Sequence, residues 1–403
     1  MKSMHGNKQA TLYPRLASFY FFFFATLGAF VPYWSVYLQS LQFNPAEIGE
    51  LMAIVMASKL VAPYFLGWLS DHFQKSLFII QLALVLSLIT FSGVFVAHSY
   101  WWLVLVMMTF GFAWNATLPL FEALTLNHLE GDSHHYSLIR LWGSIGFIIL
   151  VAGLPPLIAN NEISRLPYIV LGLLLANTLV TFFIREKKHN VASQSALNTS
   201  VTSVIKKPVV AGLLIACAFQ AISHGAYYTF FSIYLEEHGY SRDLTGWMWA
   251  IGVMAEVALF LIMHRLLRQY RASWLFAVSL LLTAIRWILL AFWVGNMPVL
   301  IFSQILHAAS FGLFHAAAIY LIHDLFPGRL QMRGQALYAG ISFGLGGSLG
   351  SLLSGYTWVS LGSTGTFLLS SALAFIGAMI AFKYVNAGIN SAINTTVNNN
   401  EKT

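Results

Sequence analysis

Long apolar runs separated by short polar breaks organise this chain along most of its length. About 20 consecutive apolar residues are what an α-helix needs to cross the hydrocarbon core of a bilayer, and such runs can be placed twelve times. In the first half they cover Leu16 to Gln39, Glu47 to Leu69, Leu77 to Ala97, Trp101 to Leu126, Ser137 to Ala159 and Pro167 to Ile184. In the second half they cover Val209 to Leu235, Leu244 to Leu267, Ser273 to Val294, Val299 to Phe326, Gln335 to Leu361 and Thr364 to Phe382. The pattern predicts an all-α integral membrane protein. Between the halves lies a polar, Ser- and Asn-rich stretch with basic residues at both ends. The predicted organisation is a bundle at 1–184, a linker at 185–207, a second bundle at 208–385 and a polar tail at 386–403.

Composition agrees. With 58% hydrophobic and 9% charged residues, there is too little charge to cover a water-facing surface, and the mean hydropathy is +0.72. The few Lys and Arg are unevenly placed. Lys2, Lys8, Arg15, Lys75, Arg185, Lys187, Lys188, Lys206, Lys207, Arg265, Arg268, Arg271, Arg329, Arg333 and Lys383 fall on one side of the twelve-span arrangement, and Arg165 and Arg242 on the other. By the positive-inside rule both termini and the linker are cytoplasmic. The basic pI of 9.4 is therefore a topology signal. Charges spread over separate loops do not make a nucleic-acid-binding patch. The N-terminal apolar run has no small-residue cleavage site and reads as an uncleaved first span. The single cysteine, Cys217, lies in an apolar run and excludes a disulfide framework or thiolate cluster.

The two halves are copies. A constant offset of 197 residues, the separation of Lys59 and Glu256, also matches Gly28 with Gly225, Ala29 with Ala226, Ser35 with Ser232, Tyr37 with Tyr234, Leu38 with Leu235, Gly49 with Gly246, Ala53 with Ala250 and Ile54 with Ile251. Parallel duplicated bundles are a common plan of secondary transporters, with the solute path at the repeat interface.

A charge at the centre of a spanning helix costs about 2.5–3.5 kcal/mol on insertion scales, so such residues face a partner or a wet cavity. This chain has Lys59 in the second span, Glu122 in the fourth, Arg140 near the start of the fifth, His224 in the seventh, Glu256 in the eighth, Arg286 in the ninth, and His307 and His315 in the tenth. Glu122 and Arg140 lie on consecutive helices joined by a short loop and can meet across the hairpin. Glu256 is the candidate proton carrier: apolar surroundings favour a neutral carboxyl and an approaching cation favours its charged form, so helix motion can drive uptake and release. Arg286 is the cation suited to this, and His307 can relay the proton. A static bridge from Glu256 to Arg286 or to Lys59 is the alternative. His315, about 80° round an ideal helix from His307, joins the coupling set; a packing histidine is the other reading for it and for His224. No metal site is expected, since no histidine pair has ligand spacing with a third ligand in evidence.

Six plus six helices with a long cytoplasmic linker resemble the major facilitator superfamily. The loop Gly67-Trp68-Leu69-Ser70-Asp71-His72-Phe73-Gln74-Lys75 is similar to its Gly-x-Leu-x-Asp-x-x-Gly-Arg/Lys signature. The resemblance implies a conformational latch at Gly67, Asp71 and Lys75; Gln74 replaces the usual glycine, and a less tight turn is expected. Phe30-Val31-Pro32-Tyr33-Trp34-Ser35-Val36-Tyr37-Leu38, Arg140-Leu141-Trp142-Gly143-Ser144, His224-Gly225-Ala226-Tyr227-Tyr228, Ala255-Glu256-Val257, Arg286-Trp287 and Gln304-Ile305-Leu306-His307 resemble the bacterial 3-phenylpropionate permease group. These are relatives of lactose-type proton symporters. The resemblance implies a substrate contact for Glu122 and Arg140 and coupling residues in the C-terminal half. A structural ion pair is the alternative for Glu122 and Arg140. The carboxylate that lactose permease has one turn beyond the corresponding histidine is absent here, where Ser310 and Phe311 stand.

The expected substrate site adds Lys59, Tyr33, Trp34, Asn115, Tyr227 and Tyr228. The rings can sandwich a flat solute while Arg140, Lys59 or Arg286 holds a carboxylate; an aromatic acid and a sugar both suit such walls, and interfacial belt positions are the other reading. Gly344, Gly346, Gly347, Gly350 and Gly355 in the eleventh span suit close helix approach. The expectation is a monomeric, cofactor-free proton symporter of the bacterial inner membrane. It imports a small organic solute, such as 3-phenylpropionate, by alternating access. A sugar or nucleoside symporter is the rival, and a non-transporting sensor the remote one. An enzyme is not expected, since no HExxH or Ser-centred elbow occurs.

Overall fold

The computed structural model of the chain describes residues 2–130, 132–158, 162–186, 201–326, 328 and 330–389, with the backbone alone at 2–11, 133, 134 and 201. Residues 187–200 of the expected linker, 390–403 of the expected tail, and Arg329 of the basic set lie outside the described residues.

All regular elements among the described residues are helical. Ten stretches form single spans: α1 Leu12–Ser40, α2 Pro45–Phe73, α3 Ser76–Phe95, α4 Tyr100–His128, α5 His135–Gly153, α6 Glu162–Phe182, α7 Pro208–Glu237, α8 Arg242–Gln269, α9 Ala272–Trp293 and α10 Met297–Leu325. An eleventh, Leu330–Ile389, is 60 residues long, too long for one crossing. Gly362 interrupts it at φ 71°, ψ 178°, a conformation essentially confined to glycine, and separates α11 (330–361) from α12 (363–389). The twelve expected spans are thus present. The fifth stops at Gly153, short of the expected Ala159. Pro155 and Pro156 follow, cannot donate to a helical ladder, and open a 3₁₀ turn over Pro155–Leu157.

Sequence duplication is visible in the element ends. Displaced by 197 residues, α1 to α4 fall on α7 to α10 within one residue at each end. Local signals set these ends: Asn44 caps α2 by accepting from Glu47 N, Glu47 accepts from Asn44 N in return at 2.9 Å, and Pro45 occupies the first turn.

The chain packs as two compact units, Met1–Ala192 with Tyr228–Ala250, and Ser193–Tyr227 with Ile251–Thr403. In the first, α1 crosses α5 so closely that a Cβ on Gly28 would lie 2.8 Å from the Phe147 carbonyl oxygen. In the second, α7 crosses α11 glycine on glycine: a Cβ on Gly225 would lie 2.1 Å from the Gly350 carbonyl carbon. Backbone contact of this kind lets dispersion hold helices together where lipid offers no hydrophobic gain.

Several spans depart from α geometry. In α2 a 3₁₀ turn occupies Ser58–Leu60, because Pro63 has no N–H to offer the Lys59 carbonyl. In α4 the helix breaks at Ala116, where Pro119 similarly leaves the Asn115 carbonyl without a helical donor. In α10 and α11 π-helical turns occupy Ala308–Leu313 and Gly340–Gly346. Irregular backbone at membrane depth is expected only where protein or a wet cavity satisfies it.

Candidate functional site

In the second unit the buried chemistry converges on Arg286. Its side chain is 0% exposed. Nε donates to Ser303 O at 2.8 Å, Nη1 to Ser310 Oγ at 3.0 Å and to His307 Nδ1 at 3.1 Å, and Nη2 to Gln304 Oε1 at 3.3 Å. The guanidinium lies 4.2 Å from the centre of the Tyr227 ring and 4.6 Å from Trp287. Tyr227 OH donates to Gln304 Oε1 at 3.0 Å, and Gln220 Nε2 donates to Thr283 Oγ1 and Ser310 O. The break in α10 makes part of this possible. Ala309 N and Ser310 N both donate to Leu306 O, and beside this shift in register the Ser303 carbonyl accepts from arginine.

This network fixes a tautomer. Arginine has donors only, so His307 Nδ1 must accept, and the proton of the neutral ring sits on Nε2. That nitrogen stands 3.9 Å from Glu256 Oε2, so the ring is aimed at the carboxylate with its N–H. Two glycines make the room: a Cβ on Gly252 would sit 3.3 Å from the imidazole, and one on Gly312 would sit 3.0 Å from Glu256 Cγ. Glu256 lies at the midpoint of α8. His307 and His315 stack on opposite faces of Phe311, at 5.7 and 5.9 Å between ring centres and nearly parallel. His315 Nδ1 is 2.8 Å from Tyr338 OH.

In the first unit Glu122 and Arg140 meet, with Nε 3.5 Å from Oε1 and each side chain about a third exposed. The guanidinium stacks 3.9 Å over Phe24 and lies 5.7 Å from the Tyr20 ring. Gly143, one turn after Arg140, is what admits both: a Cβ there would lie 2.7 Å from Phe24 and 2.9 Å from Arg140 Nη1.

Lys59 stands at the midpoint of α2, half-buried, inside the 3₁₀ turn. Asn115 pins that turn, donating from Nδ2 to Val55 O and Ser58 Oγ, both at 2.8 Å. Among the described residues no carboxylate lies within ion-pair distance of Lys59.

The aromatic residues expected to sandwich a solute have different surroundings. Tyr33 is 0% exposed and donates to Val151 O at 2.8 Å. Trp34 is also 0% exposed, in a ring cluster with Phe30, Tyr37 and Phe91. Both are packed on every side, which leaves no open wall between them. Tyr227 is filled on one face by Arg286, while Tyr228 is half-buried and stacks with Trp249 at 6.2 Å.

Gly67 and Asp71 lie in the last turns of α2 and Lys75 just after it; Asp71 and Lys75 are exposed, and Gly67 has open space where a Cβ would go. The expected slack turn is not what forms. Gln74 takes the left-handed conformation, φ 54°, ψ 35°, and its Nε2 donates to Asp71 O at 2.5 Å. The turn keeps a glycine-like shape, at a steric cost of about 1–2 kcal/mol.

Sequence reasoning passed over Gln220, Ser303, Gln304 and Ser310 as members of the Arg286 cluster, and Phe24 as the stacking partner of Arg140. Gln220 and Gln304 carried a usable signal, being amides deep inside apolar runs.

Comparison with known proteins bears on the whole chain. A family model described as the MFS_1 like family matches residues 13–369. A probable 3-phenylpropionic acid transporter of Escherichia coli (strain K12) is 30% identical over 381 residues, 92% of this chain and 97% of that protein. A maltose permease of Geobacillus stearothermophilus is 25% identical over 375 residues, 90% of this chain and 92% of that protein. Among solved structures, the nucleoside transporter NupG matches with a TM-score of 0.76 at 20% identity, covering 93% of this chain and 99% of its own. A D-xylose-proton symporter matches with a TM-score of 0.70 at 15% identity, covering 93% and 97%. At these identities the two structures speak to the fold.

Proposed function

Because the chain belongs to the MFS_1-like family of multi-pass membrane transporters, we propose that it is a proton-coupled symporter that imports a small organic acid, an aromatic monocarboxylate such as 3-phenylpropionate. The observation that carries the proton half of this reading is the line Arg286, His307, Glu256. A carboxylate at mid-span faces an imidazole N–H whose other nitrogen is held by a buried arginine. Protonation of Glu256 removes its attraction to that cluster; deprotonation restores it. A change in helix position therefore has a proton to take up or release. Arg286, each of whose three nitrogens meets a protein acceptor, positions His307 and carries no solute in this reading.

The acid half rests on the relative that is named a probable 3-phenylpropionic acid transporter and on the cationic balance of the first unit. There Glu122 and Arg140 form the solute-side pair, with Arg140 seated on the ring of Phe24. A sugar or nucleoside is the second reading, favoured by the part-exposed Glu122–Arg140 pair, whose spare oxygens and N–H groups suit hydroxyls. Arg140→Lys discards the planar guanidinium stacked on Phe24 and should lower uptake about tenfold or more in either case. Radiolabelled uptake at matched expression measures this. Both termini are taken as cytoplasmic, in a bacterial inner membrane, with the protein acting as a monomer without cofactor or nucleic acid.

The test is the external pH of weakly buffered, de-energised vesicles as aromatic acids, sugars and nucleosides are added singly. External alkalinisation by an aromatic acid, absent without the protein, is the expected result. Uptake of a sugar or nucleoside with alkalinisation, and none of any acid, would replace the acid by the second reading. Solute uptake with no pH change would overturn proton coupling.

A further inference from the structure

Three cations lie at membrane depth, and their surroundings differ in kind. Arg286 has each of its three nitrogens committed to a protein acceptor and an aromatic ring on its face. Arg140 has Glu122 beside it and Phe24 beneath it. Lys59 alone among these three has neither a carboxylate within ion-pair distance nor a hydrogen-bond acceptor among the described residues. It also stands at the midpoint of a 29-residue span. An ammonium there is costly unless an anion joins it.

The backbone around Lys59 is built to hold that side chain in place. The 3₁₀ turn at Ser58–Leu60 is locked from α4 by Asn115, which bonds both Val55 O and Ser58 Oγ. Gly111 lets α4 approach, since a Cβ there would lie 3.1 Å from Ser58 Oγ and 3.2 Å from Val55 Cα. The backbone that leads into Lys59 is therefore pinned from α4 while its charge is left uncompensated. Charge count points the same way. Among Lys59, Glu122 and Arg140 the sum is one positive charge, which a single carboxylate neutralises.

We propose that Lys59 is the anion anchor of the solute site: its ammonium binds the carboxylate of the transported acid, and it is the residue that makes the transporter prefer an acid to the corresponding neutral amide. This rests on the reading of the chain as an importer of a monocarboxylate. Asn115 is a positioning residue in this arrangement, acting through the turn that carries Lys59.

The experiment compares 3-phenylpropionate with 3-phenylpropionamide as ligands of the purified full-length protein, by direct binding and by uptake into proteoliposomes. Wild type should prefer the acid. Lys59→Met should weaken acid binding by about 10- to 100-fold, the value of a charged hydrogen bond, and leave amide binding within about twofold. Lys59→Arg should keep the preference. Lys59→Cys should regain it after attachment of an aminoethyl group through sulfur, and not after attachment of a neutral methyl group. In the wild type, saturating acid should shield Lys59 from amine-directed labelling, read by peptide mass spectrometry, where the amide does not; this arm holds even if the Met and Cys variants fail to insert. Equal loss of acid and amide binding in Lys59→Met, or an undiminished preference for acid, would overturn the assignment while leaving the importer intact. Failure of the wild type to bind or carry any carboxylate would instead overturn the importer reading, and the assignment with it.

Discussion

Phe30 and Phe110 pack in the first unit with ring centres 5.7 Å apart; 197 residues later Tyr227 and His307 pack in the second at 5.6 Å. The geometry of the ancestral pair survives and its chemistry does not. The same substitution of polar for apolar recurs around it: Phe23 corresponds to Gln220, Met107 to Gln304 and Ala113 to Ser310, and all of these are buried. The first unit fills this space with a ring cluster of Phe30, Trp34, Phe110 and Trp114, none of which is titratable. The second fills it with a connected hydrogen-bond network around a fully buried arginine, whose members lose more than their pairwise share when one is removed. Duplication followed by divergence has thus left one copy with an aromatic interior and a part-exposed polar pair, and the other with an interior of hydrogen-bonding and titratable side chains. The difference supports assigning solute chemistry to the first unit and coupling to the second.

The comparison can be broken by substitution. Glu256→Gln has the largest expected effect: uphill accumulation falls to the level set by equilibration, while counterflow of preloaded solute continues. Accumulation at the normal rate would remove Glu256 from coupling. His307→Phe brings one member of the first-unit pair into the second, opposite Tyr227. It leaves Arg286 Nη1 without one of its two acceptors, and should cost about 2–3 kcal/mol, read as a lower apparent unfolding temperature in detergent. An unchanged midpoint would mean that the two interiors are interchangeable. In the first unit, Asn115→Leu strips partners from Val55 O and Ser58 Oγ and should cost about 1–2 kcal/mol, with a raised KM for the acid because Lys59 loses its mount. The smallest effect is a gain: Gln74→Gly removes left-handed strain and should stabilise by about 1 kcal/mol, seen as a modest rise in the same unfolding temperature.

Much of this architecture was legible in the sequence because lipid makes the grammar simple. Apolar length alone located twelve spans, and the offset linking Lys59 to Glu256 anticipated two residues that both stand at the midpoints of their helices. The Glu122–Arg140 contact followed from their places on consecutive helices. What hydropathy does not encode is the register of backbone hydrogen bonds, so the π-helical turns in α10 and α11 left no trace in it. The kinks at Lys59 and Asn115 were encoded, by Pro63 and Pro119 four residues on, in a signal of donor absence rather than of polarity. Rings posed the hardest problem. Tyr33 and Trp34 had the same composition as a binding wall, and only packing distinguishes a wall from a core. Gln74 shows the reverse case: an unfavourable residue adopted the shape that the loop pattern demands.

The π-helical turn at Ala308–Leu313 has a consequence for how this sequence can change length. A wide turn holds one residue more than the α-helix around it needs, so it behaves as an insertion that the span has absorbed. Deleting Ala309 would return α10 to regular pitch without shortening its neighbours. The helix beyond would keep its facing, so that His315 stays on the side of the span where it stacks with Phe311. A one-codon deletion that would turn the far half of a regular helix by about 100° would here act as a local repair.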